Sequence, residues 1–259
     1  MVVAVVERIT ATRYVTPLRE GGSLPGIVEG DDLGTYVVKF RGAGQGVKVL
    51  VAEVIVGELA RHLEIRVPAL VAMDVCPDIA RYEADEEVQD LLTASIGLNL
   101  GVDFLPGSFG YDGSRPPTAQ VASEIVWLDA LTANVDRTWA NPNLLVWHGE
   151  VWAIDHGAAL YFHHSWPSRG ADPTRFAGQP FDADLHVLRE VADDVPAAHE
   201  RLASRVTDEV LTDIVDLVPS EWLEPAPGLT DVEAVRAAYV EHLRARLSEP
   251  AAWLPGGAR

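Results

Sequence analysis

A chain of 259 residues, 48% apolar and 23% charged with seven tryptophans, can bury a sizeable core, which excludes a disordered protein. Its formal charge of −19, from 39 acidic against 20 basic residues, repels phosphate backbones and anionic lipid surfaces, so neither nucleic acid nor membrane is an expected partner. One cysteine, Cys76, excludes an internal disulfide and a cysteine-built zinc site, and no apolar run has the length of a leader or membrane span; a soluble, cytoplasmic protein is expected. Residues 2–11 and 14–17 are rich in Val, Thr and Ile and predict strands. Residues 26–29 and 35–40, separated by Gly30-Asp-Asp-Leu-Gly34, predict a hairpin. Gly42-Ala-Gly44-Gln-Gly46 reads as a flexible loop. From residue 47 to 63 the period becomes helical, with Leu50, Val54, Val56, Leu59 and Leu63 suggesting one apolar face, and Pro68 closing it. Residues 70–75 and 94–105 predict two further strands, with an acidic, exposed stretch at 83–90 between them. After a Gly- and Pro-rich loop at 107–117, Thr118 is placed to cap a long helix reaching about Asn134. Short β runs at 144–147 and 151–154 follow, joined at His148-Gly-Glu150. From Trp166 onward the pattern is helical, at 185–191, 197–205, 208–217 and 231–247. This order predicts an α+β protein with a strand-rich unit over residues 1–106, holding one key helix, and a larger, mainly helical unit over 107–259.

The stretch from Asp129 to Gly157 carries the most chemistry. A helix ends, a polar loop Asn134-Val-Asp136-Arg137-Thr-Trp-Ala-Asn141-Pro-Asn143 follows, then a tight hairpin, then Asp155-His156-Gly157. Phosphoryl transfer from ATP requires this inventory: one carboxylate to orient or deprotonate the acceptor hydroxyl, and an amide oxygen with a second carboxylate to hold the metal that neutralises the triphosphate. Asp136 is the candidate base. Asp155 and either Asn141 or Asn143 are the candidate metal ligands.

Upstream, Lys39 sits inside the apolar strand Thr35-Tyr-Val-Val-Lys39-Phe40, where a cation needs solvent or a partner, and it is the candidate phosphate contact. Glu53, early on the next helix, is the candidate to pair with it. Gly21, Gly22 and Ser23 precede a strand and could cover phosphates with backbone N–H groups. Neither the Walker spacing nor the three-glycine dinucleotide fingerprint occurs.

With these pieces in place, the sequence resembles the HipA-like kinases, a branch of the protein-kinase-like superfamily whose catalytic loop is also similar to that of phosphoinositide kinases. The matching residues are Val38-Lys39-Phe40, Ala52-Glu53 through Leu59-Ala60 with Val67-Pro68, Ala133-Asn134-Val135-Asp136-Arg137, and Ile154-Asp155-His156-Gly157. The resemblance implies a bilobed kinase fold, ATP with magnesium, and transfer to a Ser or Thr hydroxyl of a protein, a small-molecule acceptor being the other option. It implies the same roles for Lys39, Glu53, Asp136 and Asp155, and an adenine-contacting hinge at 97–106 that includes Asp103, Phe104 and Leu105. The family's metal-binding Asn lies five residues after the base, at Asn141, yet it also directly precedes the apolar strand, as Asn143 does. Thr138 stands where the family usually has His. Two alternatives are set beside this reading: a nucleotide-binding pseudokinase or regulatory module, and a metal-dependent hydrolase using Asp136, Asp155 and His156, His163 or His164.

Overall fold

The structure is a computed structural model that describes residues 6–18, 24–44, 46–81, 83–169 and 172–256. The chain divides into two compact units, residues 1–51 with 68–106 and residues 52–67 with 107–259. Helix 47–62 thus begins in the first unit and ends in the second.

The first unit is a closed five-stranded sheet. Strands β1 (Glu7–Pro17), β2 (Gly26–Gly30) and β3 (Thr35–Lys39) precede helix α1 (Val47–His62) and strand β4 (Leu70–Val75). Helix α2 (Glu86–Ala94) and strand β5 (Gly97–Asp103) complete it. The order is β1-β2-β3-β5-β4, closed by parallel pairing of β1 with β4. Alternation drives this arrangement: Val28, Val38, Met73 and Leu100 are fully buried on the inward face. Gly101 opposes Val71 and Val38 in the ladder, and a Cβ there would lie 2.6 Å from the Val71 side chain, so only glycine fits. Two register shifts in β1, at residues 11–13 and 14–16, let one eleven-residue strand bend where two strands were expected.

The acidic stretch at 83–90, expected to be exposed, is largely so and also supplies the start of α2. Asp85 caps it by accepting the Glu87 N–H, acidic residues occupy the first turn, and Val88 and Leu92 turn inward. Helix α1 has no single apolar face: Val51, Ala52, Val54, Ile55 and Val56 are all buried, as in a helix covered on every side. Residues 1–5 of the first predicted strand, and Gly21, Gly22 and Ser23, lie outside the described residues.

In the second unit, strand β6 (Phe109–Gly110), drawn from a predicted loop, pairs with β7 (Leu144–Trp147), which pairs with β8 (Glu150–Ala153). His148 and Gly149 join β7 to β8 with positive φ at both positions, the two-residue turn that suits strand twist. Helix α3 (Ala119–Thr132), capped by Thr118 accepting the Val121 N–H, is buried on nearly every side. Helices α4 (Trp166–Arg169), α5 (Val195–Leu202), α6 (Asp208–Asp216), α7 (Val232–Ser248) and α8 (Pro250–Trp253) follow. Trp127 on α3 donates to His199 Nδ1 of α5 at 3.0 Å and packs on Trp253 of α8. Arg246 of α7 ties α3 to the loop before α5, donating to the carbonyls of Ala130 at 2.6 Å and Ala177 at 2.9 Å. The helix expected at 185–191 does not form: that segment is a run of turns, because Val187 gives its N–H to Arg137 rather than to a helical carbonyl.

Candidate active site

Buried helix α3 ends at Ala133, whose backbone is left-handed, and the chain turns into the polar loop. Asn134 fixes the turn twice: its N–H donates to the Asp129 carbonyl at 2.8 Å, and its side-chain oxygen accepts the N–H of Asp136 at 3.2 Å. Asp136 is half-buried, and its Oδ2 accepts the amide N–H groups of Asn141 at 2.6 Å and Asn143 at 3.3 Å. Three of the predicted site residues therefore come together.

The two asparagines stand in different structures. Thr138 and Asn141 exchange backbone hydrogen bonds of 3.0 and 3.1 Å, closing Trp139 and Ala140 into a tight turn of their own. Asn141 belongs to that turn and is exposed. Asn143 opens β7, is nearly buried, and has φ of 49°. Its carbonyl accepts the N–H of Ile154 at 3.0 Å, so Asn143 and the residue before Asp155 face one another across the hairpin. Asp155 also holds a left-handed backbone, with φ of 54°, and is exposed.

Arg137, quoted in the sequence only as part of a motif, organises this geometry. All five guanidinium N–H groups find acceptors. Nε and Nη2 donate to Asp129, at 2.6 and 3.2 Å; Nη2 also meets His156 Nδ1 at 3.3 Å. Nη1 donates to the carbonyls of Asn143 and, at 3.1 Å, Ile154. The side chains of Asp129 and Arg137 are wholly buried. Burial alone would raise the Asp129 pKa, but the Arg137 charge and the hydrogen bonds from His186 and Arg137 hold it well below the usual carboxylate range. Nothing in the sequence singles out Asp129 from Glu124, the other acid of the same helix.

In the first unit, Lys39 is half-buried at the end of β3, opposite Leu100. Asp103 ends β5 and donates its N–H to Ala69; Phe104 donates to Thr35, and Leu105 is buried. Burial and the nearby Asp32 raise the Asp103 pKa. Glu53 is 2% exposed within α1, a depth at which a carboxylate requires a partner.

The histidines do not assemble a hydrolase centre. His156 faces Arg137, His163 Nδ1 lies 2.9 Å from the Tyr239 hydroxyl, and among the described residues no group of three His, Cys, Asp or Glu side chains could hold a metal. Among the described residues no helix is long and apolar enough to cross a membrane.

Comparison with known proteins bears on family and fold. The family model described as HipA-like kinase matches residues 12–254. The crystal structure of a Helicobacter pylori proinflammatory kinase, CtkA, is 11% identical with a TM-score of 0.53, covering 92% of this chain and 95% of that one. At that identity the likeness shows the fold alone, and the fold is protein-kinase-like. The Golgi casein kinase with Mn/ADP bound is also 11% identical, with a TM-score of 0.46, covering 93% of this chain and 72% of that one. No curated protein matches the chain.

Proposed function

This chain belongs to the HipA-like kinase family, and from that premise we propose that it is an active kinase transferring the γ-phosphoryl group of ATP to a Ser or Thr hydroxyl of a protein. The observation that carries the reading is the convergence of Asp136, Asn141 and Asn143 on one carboxylate oxygen, with Arg137 holding the carbonyls that flank Asn143 and Asp155. Asp136 orients the acceptor hydroxyl and takes its proton. The two asparagine amides hold that carboxylate in place by donating to its Oδ2.

Asn143 and Asp155 are the residues proposed to hold magnesium, which when bound supplies positive charge against the triphosphate. Asn143 is preferred over Asn141 because it opens the strand and its backbone is pinned by Arg137, whereas Asn141 closes a separate turn. Lys39 is proposed to contact the phosphates with Glu53 as its partner, and residues 103–105 to line the adenine. Gly21, Gly22 and Ser23 keep their proposed role as a phosphate cover. The excess of acidic residues favours a protein or small-molecule acceptor over a lipid headgroup.

Thermal melting with and without MgATP, paired with a radiolabelled-ATP transfer assay on lysate proteins, tests this. MgATP is expected to raise the melting temperature of the wild type by mass action. Asp155→Ala is expected to abolish that shift. Asp136→Asn is expected to keep the shift and lose transfer by about a hundredfold or more. A wild type that melts identically with and without MgATP overturns the nucleotide site, and full transfer by Asp136→Asn overturns the choice of base.

A further inference from the structure

The turns at residues 182–191 lie against the catalytic loop, and one residue there has no part in the chemistry described so far. Thr138 and His186 form an isolated antiparallel bridge, and Val187 donates its N–H to the Arg137 carbonyl at 3.0 Å. The His186 side chain then enters the buried cluster. Its Nδ1 accepts the N–H of Leu188 at 3.0 Å, which requires that Nδ1 carry no hydrogen. The ring hydrogen is therefore on Nε2, which lies 2.9 Å from Asp129 Oδ2 and donates to it. Asp129 in this way receives two hydrogens on each oxygen: Asn134 Nδ2 and Arg137 Nη2 on Oδ1, Arg137 Nε and His186 Nε2 on Oδ2. No carboxylate lone pair is left over.

We propose that His186 is a positioning residue for the metal-binding pair Asn143 and Asp155, acting through Asp129 and Arg137. The identity of that pair rests on the kinase reading above; the chain of contacts does not. Both residues hold left-handed backbone, with φ of 49° and 54°, a conformation that Asn and Asp tolerate better than other non-glycine residues but that still calls for support from the surroundings. The supporting contact is Arg137 Nη1, bonded to the carbonyl of Asn143 and to the carbonyl of the peptide entering Asp155. Arg137 is aimed by Asp129, and Asp129 has its fourth donor from His186. Without that donor the carboxylate is free to turn, the guanidinium turns with it, and the two peptides lose their common tether. Partners outside a metal's own ligands act on affinity in this manner.

Two substitutions separate positioning from bulk packing. Asn at 186 keeps an oxygen able to accept the Leu188 N–H in a local turn, but is too short to reach Asp129. Gln at 186 sets an amide N–H near the position of Nε2. Calorimetric titration of Mn2+ with ADP into the full chain, alongside the Mg2+ dependence of transfer, gives a reading that does not depend on turnover. His186→Asn is expected to weaken Mn2+–ADP binding about tenfold and to raise the Mg2+ needed for half-maximal rate by a similar factor, with kcat at saturating Mg2+ within about twofold. His186→Gln is expected to recover most of that affinity. Wild-type affinity in His186→Asn, or equal weakening in both variants, overturns the inference and leaves the kinase reading standing. Should His186→Asn fail to fold, His186→Gln decides alone: affinity near wild type supports the role of the donor, and a tenfold loss overturns it. A wild type that binds no Mn2+–ADP defeats the kinase reading and this inference together.

Discussion

The centre of the strand-rich unit is made of Val28, Val38, Met73 and Leu100, all without solvent exposure, while the helical unit places Asp129, Arg137 and His186 where its core would be expected to be apolar. The first centre is held by contact and exclusion of water, forces without direction. The second is held by hydrogen bonds that work only if every member is present, since a buried charge stripped of its partner has no solvent to fall back on. An apolar centre gives a rigid frame that tolerates change of the right volume. The polar centre gives angular precision, which the proposed placing of two metal ligands and a base would use.

Three measurements break or sharpen that contrast. The largest effect is expected from Arg137→Met, which keeps much of the volume but leaves Asp129 uncompensated; urea denaturation should show a loss of about 3–5 kcal/mol, with the MgATP-dependent thermal shift gone. The next concerns pH. His242 of α7 bonds Pro173 O through Nδ1 at 2.7 Å and stacks on Phe162 at 3.6 Å, and burial holds its pKa down at about 4. Because the folded value lies below the unfolded one of about 6.5, the stability is fully present above pH 6.5 and is lost as pH falls toward 4, by on the order of 3 kcal/mol. A His242→Gln variant should flatten the melting temperature over that window. Asp129, held low in the native state, adds acid sensitivity only below about pH 4, where unfolded carboxylates begin to bind protons. The smallest effect is expected in the strand-rich unit: Met73→Leu, fully buried but similar in volume, should cost less than about 1.5 kcal/mol and leave the MgATP shift unchanged.

Much of this was legible in the residues. The hairpin at 26–39, the helix from Val47, the cap at Thr118 and the hairpin from Leu144 follow from period and turn chemistry and stand at nearly the expected places. Residues 185–191 have a helical pattern, yet the Val187 N–H is claimed by the distant Arg137 carbonyl and His186 bridges to Thr138, and no local rule anticipates such a claim. The stretch at 83–90 is largely solvent-exposed charge as expected, but its acids also serve as the cap and first turn of α2, which was not read. At the site, Asp136, Asn141, Asn143 and Asp155 were visible as polar types in a suggestive order. Asp129 and His186 were not, since an acid in a helix and a His in a loop carry no signal until folding brings them within 2.9 Å. Spacing alone does not choose between the asparagines: counting five residues from Asp136 reaches Asn141, which closes the Thr138–Asn141 turn, whereas Asn143 directly precedes the strand.

The complete use of the Arg137 donors bears on how this chain can evolve. Lysine offers three hydrogens from one atom and cannot serve acceptors spread around a planar fork, so lysine is not a neutral replacement at this position. Lineages that abandon the arginine are expected to have replaced Asp129 and His186 as well, and the three positions should vary as one block or not at all.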